Sequence, residues 1–231
     1  MRVRRLSYTA RAVLRILAEL EYATSDQLTV YLNVDRSTVT RTLRTLEAGS
    51  LVTLLRVARP YVVSATPAGL RAVAAKPRTG RRVRSWSAIA HRCHVNAAVL
   101  RLGAHFPGFR VLLRVDAFSL GLSPAHGEHL ARSDDGIYSL LLMDDYFMSS
   151  ERIVRVWRRR HRSKPAYYAP PAPRHWFDVA DRFIVAVTDA EHLADHRAYL
   201  AQADVLSVFH TPAGELIAPK LLYVPALWQL A

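Results

Sequence analysis

The sequence predicts an α+β protein in two parts: a small N-terminal domain over residues 1–76 and an α/β domain over 86–231, joined by a basic linker at 77–85. Three observations predict it. In the first part, segments of helical period are followed by two short apolar runs of strand length. Between the parts, Pro77-Arg78-Thr79-Gly80-Arg81-Arg82-Val83-Arg84-Ser85 packs a proline, a glycine and four arginines into nine residues, which reads as exposed connecting chain. After residue 86, apolar runs of strand length alternate with helix-length segments, the pattern of a sheet covered by helices.

In the first part, residues 8–22 read as a helix, because Val13, Ile16, Leu17 and Leu20 recur at three- and four-residue spacing. Thr24-Ser25-Asp26 offers an N-cap for a second helix over 25–32 that buries Leu28. Asn33-Val34-Asp35 is a short turn, and Asp35 or Ser37 can cap a third helix over 36–48. Val39, Leu43 and Leu46 face inward on that helix, and Gly49 ends it. Residues 51–55 and 61–64 read as two strands joined by Arg56-Val57-Ala58-Arg59-Pro60. Thr66-Pro67-Ala68-Gly69 starts a fourth helix with proline at its tolerated first position.

Three helices, a hairpin and a helix follow the order of a winged helix-turn-helix domain. The resemblance to that class rests on Leu43-x-x-Leu46-Glu47-x-Gly49-x-Leu51-Val52, then Tyr61-Val62-Val63 and Thr66-Pro67-x-Gly69. A third helix with small polar and arginine side chains suits the major groove, where arginine pairs bidentately with guanine and hydroxyls reach bases or phosphates. Arg36, Ser37, Thr38, Thr40, Arg41 and Arg44 are the candidate contacts, with Arg56 and Arg59 at the wing tip. Arg81, Arg82 and Arg84 in the linker could track phosphates.

In the second part, 87–106 reads as a helix, 109–115 as a strand, 119–136 as a loop and 137–143 as a buried strand ending at Asp144-Asp145. A helix over 149–161 follows, then a proline-rich extended stretch over 164–174. A strand over 182–188, a helix over 190–202 and a strand over 205–210 have the length of a parallel crossover unit.

Charge distribution points to the partner. The 32 Lys+Arg outnumber the 19 Asp+Glu, giving +13. Residues 1–85 hold 16 basic and 5 acidic side chains, whereas 86–231 hold 16 and 14. An excess confined to one part is the footprint of a polyanion, and DNA is the expected partner. The run 152–164 has seven basic residues in thirteen, so Arg158 and Arg159 join the DNA candidates, while Ile153, Val156 and Trp157 are expected in the core. One cysteine, Cys93, excludes an internal disulfide and a cysteine-based zinc site. No apolar run reaches the roughly 18 residues of a membrane span, so no membrane is expected, and the cytoplasm is the default location. Phosphate-binding loops, dinucleotide fingerprints and serine- or zinc-hydrolase motifs are absent from the sequence.

His91-Arg92-Cys93-His94-Val95-Asn96-Ala97-Ala98-Val99-Leu100-Arg101-Leu102, Ser133-Asp134-Asp135-Gly136 and Leu141-Leu142-Met143-Asp144-Asp145 resemble the replication-relaxation family of plasmid and integrative-element proteins. The resemblance implies a restriction-endonuclease-like second domain. A nuclease of that fold needs one acid, then an acid-x-lysine at the end of the next strand, holding a divalent metal. Asp135, Asp144 and Asp145 are the catalytic candidates, and Asp135 with Asp145 the metal ligands, with Mg²⁺ or Mn²⁺ as the ion if cleavage occurs and otherwise no cofactor. The lysine is missing: Tyr146 and Phe147 stand at the two positions. That departure weighs against catalysis and favours a degenerate endonuclease-like domain. The leading reading is a DNA-binding protein acting in replication, transfer or their regulation. Two alternatives stay open: a metal-dependent nicking enzyme, and a transcriptional regulator whose second domain dimerises or binds a partner. A homodimer and a replication or transfer protein are the further partners these readings imply.

Overall fold

The computed structural model describes residues 6–56, 60–75, 85–145, 147–159, 172–211 and 214–226. The chain forms two compact units, which divide between Ala97 and Ala98.

The first unit begins with α1 (Tyr8–Leu20), capped by Ser7, whose hydroxyl accepts from the Ala10 amide. Val13, Leu14 and Leu17 are buried on one side. A two-residue strand, β1 (Ala23–Thr24), leads into α2 (Ser25–Leu32) through a reciprocal cap between Thr24 and Gln27. Asn33, in left-handed backbone (φ 50°), turns the chain toward α3 (Arg36–Ala48). Two strands follow, β2 (Val52–Leu55) and β3 (Val62–Ala65), then α4 (Pro67–Ala72). The antiparallel sheet has the order β1-β3-β2, with Ala23 opposite Val63 and Val52 opposite Ala65. Two helices, the helix-turn-helix pair and a hairpin edged by a short third strand make up a winged helix. β1 is too short to leave a periodic signal in the sequence.

Two details explain residues of the winged-helix motif. Gly49 keeps φ −84°, and the left-handed turn after α3 falls on Ser50 (φ 56°). At Gly69, a Cβ would stand 2.1 Å from the Leu51 carbonyl oxygen, so only glycine lets α4 approach the chain entering β2 this closely.

The helix after the linker, α5 (Trp86–Gly103), starts on the first unit. Ile89, Ala90 and Cys93 pack with Tyr22 and Val62. The buried Asn96 amide donates to the carbonyls of Tyr22 (2.6 Å) and Leu20 (3.3 Å), and Gln27 donates to the Cys93 carbonyl (2.7 Å). The two Asn96 bonds satisfy backbone acceptors where α1 gives way to β1. Cys93 is fully buried, and that burial pushes its thiol up to about 12.

The second unit contains β4 (Arg110–Val111), α6 (Arg114–Ser119), β5 (Glu128–Arg132), β6 (Tyr138–Asp144), α7 (Ser150–Arg158), β7 (Arg182–Val187), α8 (Ala190–Leu200), α9 (Ala203–Leu206) and β8 (Lys220–Tyr223). One mixed sheet runs in the order β4-β5-β6-β7-β8. The first two pairings are antiparallel, and β6-β7 and β7-β8 are parallel. Leu140, Leu141 and Leu142 are wholly buried in β6, as are Val185, Ala186 and Val187 in β7. Such unbroken apolar runs belong to strands covered on both faces. Trp157 from α7 packs its ring 3.9 Å from Phe177 and 5.3 Å from Phe209, inside the core as expected.

Three expectations are corrected. The strand expected over 109–115 is confined to Arg110–Val111, because the Asp116 carboxylate accepts the Leu113 amide (3.0 Å) and opens α6. The loop expected over 119–136 contains β5, whose buried Glu128 disguises it as polar chain. The strand expected over 205–210 does not form: α9 ends at Leu206, the chain turns over 207–208, and His210 makes an isolated bridge to Leu216. Asp204 lies in the first turn of α9, and Val205 and Phe209, four residues apart, are both buried. β8 takes its place as the parallel partner of β7.

Candidate functional site

On α3 the apolar residues Val39, Leu43 and Leu46 are buried, which fixes the opposite side toward solvent. Arg36, Thr40 and Arg44 follow each other at four-residue spacing, as do Ser37, Arg41 and Thr45. All six are exposed and line one shallow concave surface. Residues four apart lie one turn above each other on the same face, so these side chains form a stripe along the whole helix. The Thr40 hydroxyl donates to the Arg36 carbonyl (2.8 Å) and the Thr45 hydroxyl to the Arg41 carbonyl (3.1 Å). Their oxygens keep lone pairs for a donor on a ligand.

The electrostatics of the stripe are graded. Arg36 pairs with Asp26 at 3.6 Å, and Arg56 with Glu47 at 2.6 Å. That hydrogen bond and the Glu47 charge raise the Arg56 guanidinium above its ordinary value. Among the described residues no carboxylate pairs with Arg41 or Arg44, so their charge faces outward uncompensated. Thr38 lies off the stripe. Its amide (2.8 Å) and hydroxyl (2.6 Å) both donate to the Asp35 carboxylate, which caps α3. The Ser37 hydroxyl, then the Thr38 groups, hold Asp35 well below the usual carboxylate range. Arg59, Arg81, Arg82 and Arg84 lie outside the described residues.

In the second unit Arg158 is exposed near the end of α7. Arg159 instead donates to both oxygens of Glu128, whose side chain is fully buried, so it holds β5 in place.

The acids expected to share a metal do not come together. Asp135 lies in the turn between β5 and β6, whereas Asp144 ends β6. The seven residues of β6 separate them by roughly 20 Å at about 3.3 Å per residue, too far for one ion. Asp145 follows Asp144 at that same distant end. The residues present therefore do not fit the Mg²⁺ or Mn²⁺ site implied by the nuclease resemblance.

Asp135 has a structural environment. It accepts from the Ser133 hydroxyl (2.7 Å), the Ile137 amide (3.0 Å) and Arg182 (2.9 Å), and these hold its carboxyl down at about 2. The stabilisation is complete above the ordinary value of 3.8 and is lost as pH falls through about 2. The difference in thermal midpoint between wild type and Asp135→Asn should therefore shrink between about pH 4 and pH 2. A difference constant across that window would mean that the charge of Asp135 does not stabilise the turn.

Asp144 belongs to a cluster that the sequence reading missed. The parallel neighbours β6 and β7 end together, with Thr188 donating from its amide (3.0 Å) and hydroxyl (3.2 Å) to the Asp144 carbonyl. Asp189 then caps α8 by accepting the His192 amide (3.0 Å). This placement sets His192 and His196, one turn apart, over the strand end. His192 Nδ1 and His196 Nε2 each lie 3.0 Å from the same oxygen, Asp144 Oδ2. Asp144 Oδ1 accepts the Met148 amide (2.6 Å), and Ser150 Oγ lies 2.7 Å from His196 Nδ1. Burial pushes the Asp144 carboxyl up, but the hydrogen bonds from His196, His192 and Met148 outweigh it, and the net displacement is downward. The carboxylate is thus ionised at neutral pH. The spacing His192-x-x-x-His196 is visible in the sequence; the aspartate that completes the group is supplied only by the fold.

Comparison with known proteins finds likenesses to parts of the chain. The crystal structure of transcriptional regulator Tm0710 from Thermotoga maritima is 25% identical, covering 30% of this chain and 50% of its own, with a TM-score of 0.28. A mutant of Lactococcus lactis ZitR in apo form is 21% identical, covering 44% of this chain and 69% of its own, also with a TM-score of 0.28. The chain thus spans half the length of the first of these. No curated protein matches it. Among the described residues no helix is long and apolar enough to cross a membrane. The family model described as replication-relaxation matches residues 14–120, from within α1 to the end of α6.

Proposed function

We propose that this chain is a DNA-binding protein of a mobile genetic element that acts in replication, transfer or their regulation. It reads duplex DNA by laying α3 in the major groove. The observation that carries this reading is the exposed stripe of Arg36, Arg41 and Arg44 interleaved with Ser37, Thr40 and Thr45. A helix of this width and chemistry matches the groove and its donor and acceptor pattern. The net +11 over residues 1–85 supplies the sequence-independent attraction, and the replication-relaxation match supports the biological setting.

The second unit fits a degenerate endonuclease-like domain. Its mixed sheet has an acid at the end of β6, as such an enzyme requires. Tyr146 takes the lysine position after Asp144, and Asp135 is far from the strand end. DNA binding without cleavage is the outcome this arrangement favours.

Binding and cleavage are measured on the same samples: the purified chain with supercoiled, linear duplex and single-stranded DNA from its genetic neighbourhood, with Mn²⁺ or with EDTA, across a salt series. The expected result is binding without nicking. The logarithm of affinity should fall linearly with that of salt, by roughly 0.9 per phosphate contacted. No duplex binding at low salt would reject the reading. Mn²⁺-dependent nicking lost in Asp144→Asn would replace it with a nicking enzyme.

A further inference from the structure

The three polar side chains gathered at the end of β6 have no role in DNA reading by α3. Asp144 Oδ2, His192 Nδ1 and His196 Nε2 all lie within 4.8 Å of one another, and both nitrogens are 3.0 Å from the oxygen. Ligands of a tetrahedral zinc ion, each about 2.0–2.2 Å from the metal, stand roughly 3–3.5 Å apart. The two nitrogen–oxygen separations are therefore close to those an ion would impose. Two histidines four apart on one helix, with a carboxylate from another element, present three donors to one point.

The surroundings leave the right atoms for a metal. Met148 donates its amide to Asp144 Oδ1, which leaves Oδ2 as the ligand. Ser150 Oγ sits against His196 Nδ1, so the proton that Nε2 shares with Asp144 Oδ2 without an ion can stand on Nδ1 instead, donated to Ser150, and free the Nε2 lone pair when an ion binds. Asp144 and His196 are 1% exposed in their side chains, whereas His192 is 24% exposed, so solvent reaches the group from one side. The Phe147 ring stands edge-on to His192 at 5.0 Å and restricts its orientation. Two nitrogens and one oxygen are a donor set of borderline softness, suited to zinc and disfavoured by Mg²⁺ and Ca²⁺.

We propose that Asp144, His192 and His196 bind one divalent transition-metal ion, zinc before others, with a fourth coordination position open on the His192 side. The ion ties the first turns of α8 to the end of β6. Its site is separate in kind from the two-acid nuclease site, because it uses no lysine and does not involve Asp135.

The test uses the full chain, without an added histidine tag and stripped with EDTA. Zn²⁺ is titrated by calorimetry, and Co²⁺ by its visible absorption. The expected result is one ion per chain, the intense visible bands of four-coordinate Co²⁺, and a raised thermal midpoint. His192→Ala should weaken binding by about 100-fold or more, and Ser150→Ala by about 10-fold through loss of the hydrogen bond to His196. His192 is the partly exposed ligand, so its replacement leaves the smallest packing defect; Ser150→Ala serves if it fails to fold. Failure to bind stoichiometric zinc overturns the proposal, as does equal binding by wild type and the folded variants. A thiolate-to-cobalt band would also overturn it, by placing the ion on Cys93. Duplex binding measured in parallel should be unchanged by Ser150→Ala, so the two readings fail separately.

Discussion

Arg41→Ala lowers affinity for the preferred duplex by about 10- to 100-fold and changes affinity for unrelated duplex far less. A bidentate arginine–guanine pair contributes about 1–3 kcal/mol of discrimination, which sets that range. Arg41 lies in the middle of the exposed stripe on α3 and has no carboxylate partner among the described residues, so truncation breaks no ion pair. Alanine is a better helix former than arginine, so α3 itself is not weakened. The measurement is a selection from a random duplex pool, followed by titration of wild type and variant with the selected and an unrelated sequence. Equal losses on both would make Arg41 a phosphate contact, and no loss on either would remove α3 from the interface. Arg56→Ala should cost less and act on every sequence alike, since that guanidinium is partly engaged by Glu47.

The helices and hairpin of the first unit were legible because each obeys a local rule. Val39, Leu43 and Leu46 mark the buried side of α3 by their spacing, Asp35 announces its start, and Pro67 that of α4. What local rules miss is the strand that exists only through its partner. β1 is two residues long and owes its conformation to Val62 and Val63 across the sheet. β5 hides for a different reason. Its first residue is a glutamate whose side chain is wholly buried because Arg159, 31 residues away in sequence, neutralises it. The same pairing removes Arg159 from the basic surface that the sequence alone suggests. At 205–210 an apolar run of strand length instead follows on from a four-residue helix, α9, which ends at Leu206, and Val205 and Phe209 are buried without a strand to hold them.

The candidate sites divide along the same line. The α3 stripe lies on one element, so sequence spacing suffices to find it. The cluster on β6 and α8 joins residues 48 and 52 apart through the parallel pairing of β6 with β7, and no spacing rule spans that distance. Asp144 stood out for its place at a strand end, but partnership with Asp135 assumed that the acids share an end of the sheet. The intervening strand places them at opposite ends.

Asp144→Ala costs about 3 kcal/mol or more in folding stability, the largest effect expected of any single substitution here. The residue is 2% exposed, and its carboxylate accepts from Met148, His192 and His196 at once. Alanine leaves the Met148 amide and a buried imidazole nitrogen facing a void, and each unsatisfied buried donor costs about 1–3 kcal/mol. Asp144→Asn separates the two contributions of the carboxylate. The amide oxygen can still accept from Met148, but its NH₂ group meets the imidazoles as a donor and cannot ligate a metal. Urea unfolding of the EDTA-stripped proteins should therefore rank wild type above Asp144→Asn above Asp144→Ala. A cost under about 1 kcal/mol for Asp144→Ala would mean that the strand end is held by the Thr188 bonds to the Asp144 backbone carbonyl, with the carboxylate contributing little. With zinc in excess, the gap between wild type and Asp144→Asn should widen, because only the wild type gains stability from an ion bound to the folded state. A gap that stays constant on adding zinc would assign the whole effect to hydrogen bonding.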